Sequence, residues 1–261
     1  MNSISVLIVD DHAIVRDSLA AVLKFEPDIT ICGMARDGRH AVALARELRP
    51  NVILMDIAMP RLNGLEATRQ IMSQNRRARV IMLSAHLEPA YAPRAISAGA
   101  VGYLFKHASG GALARAIREV ASGKMQFAPA ITKMLSSTAD KIVGFCRAAV
   151  EPAGLSLREA EVMQLVAEGA TTKEIAWELG VTRKTVEKHR QRVMWKLGAH
   201  NIAALTRSAI ATGMIDPGFV AMKGINVVRP GATTPTGYCQ PSYGRSRTTL
   251  ATGLREKPTV S

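Results

Sequence analysis

Three carboxylates, Asp10, Asp11 and Asp56, stand directly after short apolar runs, and Ser84 and Lys106 stand directly after two more. Three carboxylates brought together repel one another unless a cation neutralises them, and a hard, oxygen-preferring ion such as Mg²⁺ suits them. An acidic nucleophile, a cation, a hydroxyl and an ammonium can together bind a phosphoryl group and offset its charge during in-line transfer. Simpler roles exist for each residue alone. Asp11 could cap the helix that follows it, and an aspartate at a strand end is often only solvated. The phosphoryl chemistry requires that all five residues meet at one edge.

The elements needed for that meeting are legible. Candidate strands cover 4–9, 29–34, 52–55, 79–83 and 101–105, with helix-period stretches beginning near His12, Gly38, Gly64, Pro89 and Ser109. Strands apolar on both faces that alternate with amphipathic helices predict an α/β doubly wound, five-stranded parallel sheet over residues 1–123. In such sheets ligands bind beyond the carboxyl ends of the strands, which is where the five residues fall. Residues 124–150 read as a linker, with a possible helix over 130–150 bounded by Pro129 and Pro152. Residues 151–215 form a small all-α domain, with four helical segments separated by Gly169, Gly180 to Thr182 and Gly198 to His200. Residues 216–261 are rich in Gly, Pro, Ser and Thr, and read as a disordered basic tail.

The net charge of +13 favours a polyanionic partner. Basic minus acidic counts are 15 − 11 over 1–123, 4 − 1 over 124–150, 9 − 7 over 151–215 and 6 − 2 over 216–261. No apolar run approaches the roughly 20 residues of a membrane span. The start, MNSISVLIVDD, lacks a secretory pattern, so the expected location is cytoplasmic, with no membrane partner. Cys32, Cys146 and Cys239 are far apart, lack metal-ligand spacing, and read as reduced thiols.

Within the helical domain, TTKEIAWELGVTRKTVEKHRQRVMWKLG holds two helices joined by a tight turn at Gly180. Ile175, Ala176 and Leu179 face inward on the first, and Val186, Val193 and Leu197 on the second. Arg183, Lys184, Glu187, Lys188, Arg190, Gln191 and Arg192 are left for solvent. A short helix, a glycine turn and a basic amphipathic helix fit a helix-turn-helix, whose second helix enters the major groove.

The strings VLIVDDH, LMDIAMPRLNGLEATR, MLSAH and AGAVGYLFKHAS resemble a receiver domain of the NarL/FixJ subfamily of two-component response regulators, a flavodoxin-like fold. That resemblance implies that Asp56 is phosphorylated, that Asp10, Asp11, Asp56 and the Ala58 carbonyl hold Mg²⁺, and that Ser84 and Lys106 contact the phosphoryl oxygens. Tyr103 takes the aromatic switch position, a role compatible with simple packing, and Ala58 and His86 occupy positions that influence phosphoryl lifetime. REAEVMQLVAEG, TKEIAWELG and TVEKHRQRVMWKLG resemble a LuxR-type helix-turn-helix. Its implied base-facing residues are Glu187, Lys188 and Gln191. Thr172, Lys173, Thr185 and His189 touch phosphates or support the fold, and Glu161 ties the first helix to the bundle. The residue types agree with this, since Lys can donate to guanine, Gln can pair with adenine and Glu can accept from cytosine.

Together these features predict a non-enzymatic, phosphorylation-dependent transcriptional regulator. Its expected partners are a sensor histidine kinase, promoter DNA, a second copy of the chain when phosphorylated, and RNA polymerase. A magnesium phosphohydrolase would need a general-acid aspartate two residues after the nucleophile, where Ala58 stands. A dinucleotide enzyme would need a glycine fingerprint after Val9, where Asp10 and Asp11 would repel a pyrophosphate. A DNA-binding protein with a vestigial receiver is the remaining rival.

Overall fold

A computed structural model describes residues 3–85, 91–129, 131–132, 154–212 and 214–215. The expectations for His86, for nearly all of the helix over 130–150, and for the tail over 216–261 lie outside the described residues.

Six parallel strands form one sheet in the order β2-β1-β3-β4-β5-β6. They are β1 Ile4–Val9, β2 Ile29–Ala35, β3 Val52–Asp56, β4 Val80–Ser84, β5 Gly102–Phe105 and β6 Gln126–Phe127. β1, β3 and β4 are almost wholly buried, as strands covered on both faces must be, which is why their sequences do not alternate. The sixth strand departs from the expected five and falls within the predicted linker. The Gln126 amide donates to the Val101 carbonyl and the Ala128 amide to the Tyr103 carbonyl, so the chain leaving the last sheet helix covers the β5 edge. Two residues are too few for a periodicity to reveal.

The helices are α1 Ala13–Leu23, α2 Gly38–Leu48, α3 Gly64–Gln74, α4 Tyr91–Ala98 and α5 Gly110–Ala121. One face of the sheet buries Val6, Ile8, Leu54, Ile81 and Leu83 beneath residues of α1 and α5. The other buries Leu7, Val9, Ile53, Met55 and Met82 beneath α2, α3 and α4. Asn63 caps α3 by accepting the Glu66 amide at 2.9 Å, and Asp37 caps α2 by accepting the His40 amide at 2.8 Å. At Gly64 a β-carbon would lie 1.9 Å from the Asp56 carbonyl oxygen, so glycine lets α3 start against the end of β3.

The C-terminal helices are α6 Leu157–Ala167, α7 Thr172–Glu178, α8 Arg183–Lys196 and α9 Ile202–Ala211. Capping boxes open α6, with Ser156 and Glu159, and α7, with Thr171 and Glu174. Gly169, Gly180 and Gly198 follow three of the helices at positive φ. A separate core forms around Val162, Met163, Val166, Ile175, Val186, Val193 and Leu205. The inward assignments on α7 and α8 hold, except that Leu197 is only partly buried.

Candidate functional site

Asp10 follows β1 and Asp56 ends β3, the next strand in the sheet, so their side chains meet at one edge. Both are buried. Lys106, directly after β5, reaches across β4 to join them, its Nζ 2.7 Å from Asp10 Oδ2 and 3.0 Å from Asp56 Oδ1. Ser84 ends β4 between them, and its carbonyl accepts the Lys106 amide at 2.8 Å. Tyr103 is fully buried in β5, edge-on to Phe105 with ring centroids 6.2 Å apart. Ala58 is exposed in the loop after β3.

Burial outweighs the pull of Lys106 and, with the Asp10 charge, pushes the Asp56 carboxyl up to about 7. Burial opposes the charge on Lys106, but the Asp56 and Asp10 carboxylates prevail and raise its ammonium above the ordinary value. A site with more carboxylates than cations is thereby held together by one ammonium, and a further cation would ease it.

Asp11 does not cap α1. That position belongs to His12, which makes no side-chain capping bond, while Asp10 Oδ1 accepts the His12 amide at 2.9 Å. His12 Nδ1 lies 2.8 Å from Asp11 Oδ1, and ligand atoms of Asp10, Asp11 and His12 all fall within 4.8 Å of one another. Arg16, one turn into α1, donates to the Asp10 carbonyl at 2.7 Å and the Asp11 carbonyl at 3.2 Å. This fixes the loop that carries the two carboxylates. Oxygen donors dominate the pocket, which fits a hard divalent cation.

The predicted nucleic-acid residues separate into two groups. Lys173, Glu187, Lys188 and Gln191 are exposed. Thr172, Thr185 and His189 are half-buried, as is Arg190, which had been expected in solvent. The Thr185 amide donates to Thr182 Oγ1, the cap of α8, and the two hydroxyls lie 2.9 Å apart, so Thr185 supports the helix start. His189 is turned toward the bundle. Burial, against the pull of Glu159, holds its imidazole below the ordinary value.

Glu161 reaches the helical bundle only through Arg158, which donates to it at 2.6 Å and also to the Leu179 carbonyl at the end of α7. Glu159 makes a direct tie, its Oε2 lying 2.7 Å from Lys196 Nζ. Glu161 also accepts from Arg39 at 3.1 Å and Gln70 at 2.8 Å, both on the sheet domain. Gln164 Oε1 accepts the Asn63 amide at 2.9 Å, and its Nε2 donates to the Met59 carbonyl at 3.0 Å. Glu168 accepts the Arg61 amide at 3.0 Å, at a residue with φ of 70°. Asn63, the cap of α3, thus also anchors the joint.

Gln164 and Glu168, and the sheet-domain contacts of Glu161, were missed from sequence, although a signal existed. Positions 161, 164 and 168 lie on one helical line, and three polar residues in line along a helix that is otherwise apolar beyond its first turn mark a face with a polar partner. The contacts of Gln164 and Glu168 sit on the loop that follows Asp56. A narrow cleft beside it is lined by Asp11, Ala58, Met59, Pro60, Glu168, Met214 and Ile215.

Comparison with known proteins gives two family matches: the response regulator receiver domain over residues 6–118, and the bacterial regulatory proteins of the luxR family over residues 153–209. The chain is 38% identical over 211 residues to the transcriptional regulatory protein LiaR of Bacillus subtilis, covering 79% of this chain and 95% of LiaR. It is 35% identical over 218 residues to the response regulator UvrY of Escherichia coli, covering 81% and 95%. Among solved structures, a LuxR-family two-component response regulator from Aurantimonas sp. matches 53% of this chain and 99% of its own at 30% identity, with a TM-score of 0.51. The RcsB response regulator of Salmonella typhimurium, solved in a study of its DNA interaction, matches 81% and 99% at 25% identity, with a TM-score of 0.53.

Proposed function

We propose, since the chain belongs to the response regulators that join a receiver domain to a LuxR-type DNA-binding domain, that Asp56 accepts a phosphoryl group from a sensor histidine kinase and thereby controls promoter binding. The observation that carries this reading is the placement of the Asp56 carboxylate at the carboxyl end of β3, 3.0 Å from Lys106 Nζ, with Asp10 and Asp11 alongside. Asp56 is the nucleophile, and Lys106 and Ser84 receive the phosphoryl oxygens. Asp10, Asp11, Asp56 and the Ala58 carbonyl would hold Mg²⁺, which supplies charge neutralisation to the transfer. Tyr103 and Ser84 form the relay toward the surface of the sheet domain. Incubation with a small phosphodonor and Mg²⁺ should add one acid-stable, alkali-labile phosphoryl group. Undiminished labelling of Asp56→Ala would refute the assignment.

Glu187, Lys188 and Gln191 read base edges, and Lys173 and Thr172 face phosphates. The exposure of Glu187, Lys188 and Gln191 on α8 and of Lys173 in the first turn of α7 supports this reading. The joint supports coupling between the two halves, because Glu168 and Gln164 grip the loop that follows Asp56. A phosphoryl group there places added negative charge beside the Glu168 carboxylate, which favours release of α6. Released, two phosphorylated copies pair on DNA with half-sites about one helical turn or a multiple apart, in the cytoplasm, where RNA polymerase is a further partner. Sedimentation should show a monomer-to-dimer shift on phosphorylation. A phosphorylated monomer that saturates promoter DNA would contradict the pairing.

A further inference from the structure

Trp195 is 83% exposed, an unusual setting for an indole in a water-facing helix. At 3.6 residues per turn, positions 184, 188, 191 and 195 of α8 form one line, which places Trp195 in register with Lys184, Lys188 and Gln191. Val186 and Val193, which face the core, lie on the opposite side. The tryptophan therefore lies on the outermost line of the same basic face, where it neither fills the core nor continues the charge. At the helical rise it stands about 10 Å beyond Lys188 along the axis. The major groove is only about 12 Å wide, so a helix whose N-terminal half meets base edges carries its next turns to the groove wall.

We infer that Trp195 is a DNA-positioning residue that packs its indole against a deoxyribose at the groove wall and donates its Nε1–H to a phosphate oxygen. The inference rests on the reading that α8 enters the groove. Duplex bases are stacked on one another and offer no free ring face to an indole, which leaves the sugar edge as the apolar surface within reach. Lys184, Lys188 and Arg192, all exposed on the same face, supply the charge that brings the duplex to it. Trp177, 84% exposed on α7, lies on a different helix and serves as the internal comparison.

The proposal carries a signature that a lysine contact lacks. An uncharged indole releases no counterions, whereas each neutralised phosphate steepens the salt dependence by about 0.9 in log–log slope. The test uses the full chain, a duplex selected from random DNA by enrichment on the protein, and mixed-sequence duplex. Trp195→Ala should weaken both duplexes by roughly tenfold with the salt slope unchanged, and Trp195→Phe should lose less, because the ring survives without the donor. In a Trp177→Phe background, the fluorescence of Trp195 should become shielded from acrylamide when duplex is added, a readout that needs no alanine variant to fold. Unchanged affinity in Trp195→Ala, or unchanged quenching, would overturn the proposal, as would a loss confined to the selected duplex, which marks a base contact. Lys188→Ala separates the two levels. If it binds like the parent, the groove reading fails; if it weakens binding while Trp195→Ala does not, only the tryptophan assignment fails.

Discussion

At the scale of single residues, the acidic pocket is organised by Lys106, whose ammonium lies within 3.0 Å of both Asp10 and Asp56. Removing one partner of a buried ionic cluster leaves uncompensated charge, at a cost of about 3 kcal/mol. Lys106→Met should therefore destabilise the chain by about that amount at pH 8, as read by chemical denaturation. The loss should be smaller at pH 5, because the Asp56 carboxyl, already pushed up to about 7, is then protonated and neutral. Added Mg²⁺ should recover part of the loss at pH 8, and equal destabilisation at both pH values would count against the charge account. Gly64 supplies a steric test at the same place. A β-carbon there meets the Asp56 carbonyl at 1.9 Å, so Gly64→Ala should cost about 2 kcal/mol or more and impair phosphorylation through displaced backbone.

At the scale of elements, the strands and their order of chemistry were readable because a parallel sheet puts every strand's carboxyl end on one edge. Asp10, Asp56, Ser84 and Lys106 could be placed together with no knowledge of side-chain geometry. The sixth strand was not readable, since Gln126–Phe127 has no period of its own and exists because β5 offers an unpaired edge. Thr185 and His189 were ambiguous in sequence. Spacing gives the side of a helix; the hydroxyl of Thr182 that holds Thr185 is a local capping contact three residues away, while the neighbourhood of Glu159 around His189 is a tertiary fact. Helix α6 was the least legible element. It is buried on nearly every side because it lies between its own bundle and the sheet domain, and an amphipathic reading assigns only one partner. A titratable group next to that joint gives a measurable consequence. Burial, against the pull of Arg69 and with a contribution from Glu161, pushes the Glu66 carboxyl up to about 7 from an ordinary 4.5. The folded chain then holds a proton that the unfolded chain releases between those values, so stability falls as pH rises from about 4.5 to 7 and levels off above. Glu66→Gln should flatten that fall in denaturation measured from pH 4.5 to pH 8. An unchanged slope would mean that Glu66 is ionised in the fold.

At the scale of the whole molecule, the joint leaves Glu187, Lys188 and Gln191 of α8 exposed while it holds α6 against the loop after Asp56. The arrangement restrains the position of the helical domain rather than covering its base-facing residues. Gln164→Ala should free the Asn63 amide and the Met59 carbonyl, and hydrogen exchange over residues 59–64 should quicken in the unphosphorylated protein. Unaltered exchange there would mean that the joint contributes nothing to order in that loop. The central claim is that phosphorylation of Asp56 sets the affinity for DNA through this joint. Its most direct test is duplex affinity of the full chain, at fixed salt, with and without a small phosphodonor and Mg²⁺, beside Asp56→Ala. The account predicts tighter binding on phosphorylation for the parent chain and no response in Asp56→Ala. The same response in both chains, or none in a parent chain shown to carry the phosphoryl group, would contradict it.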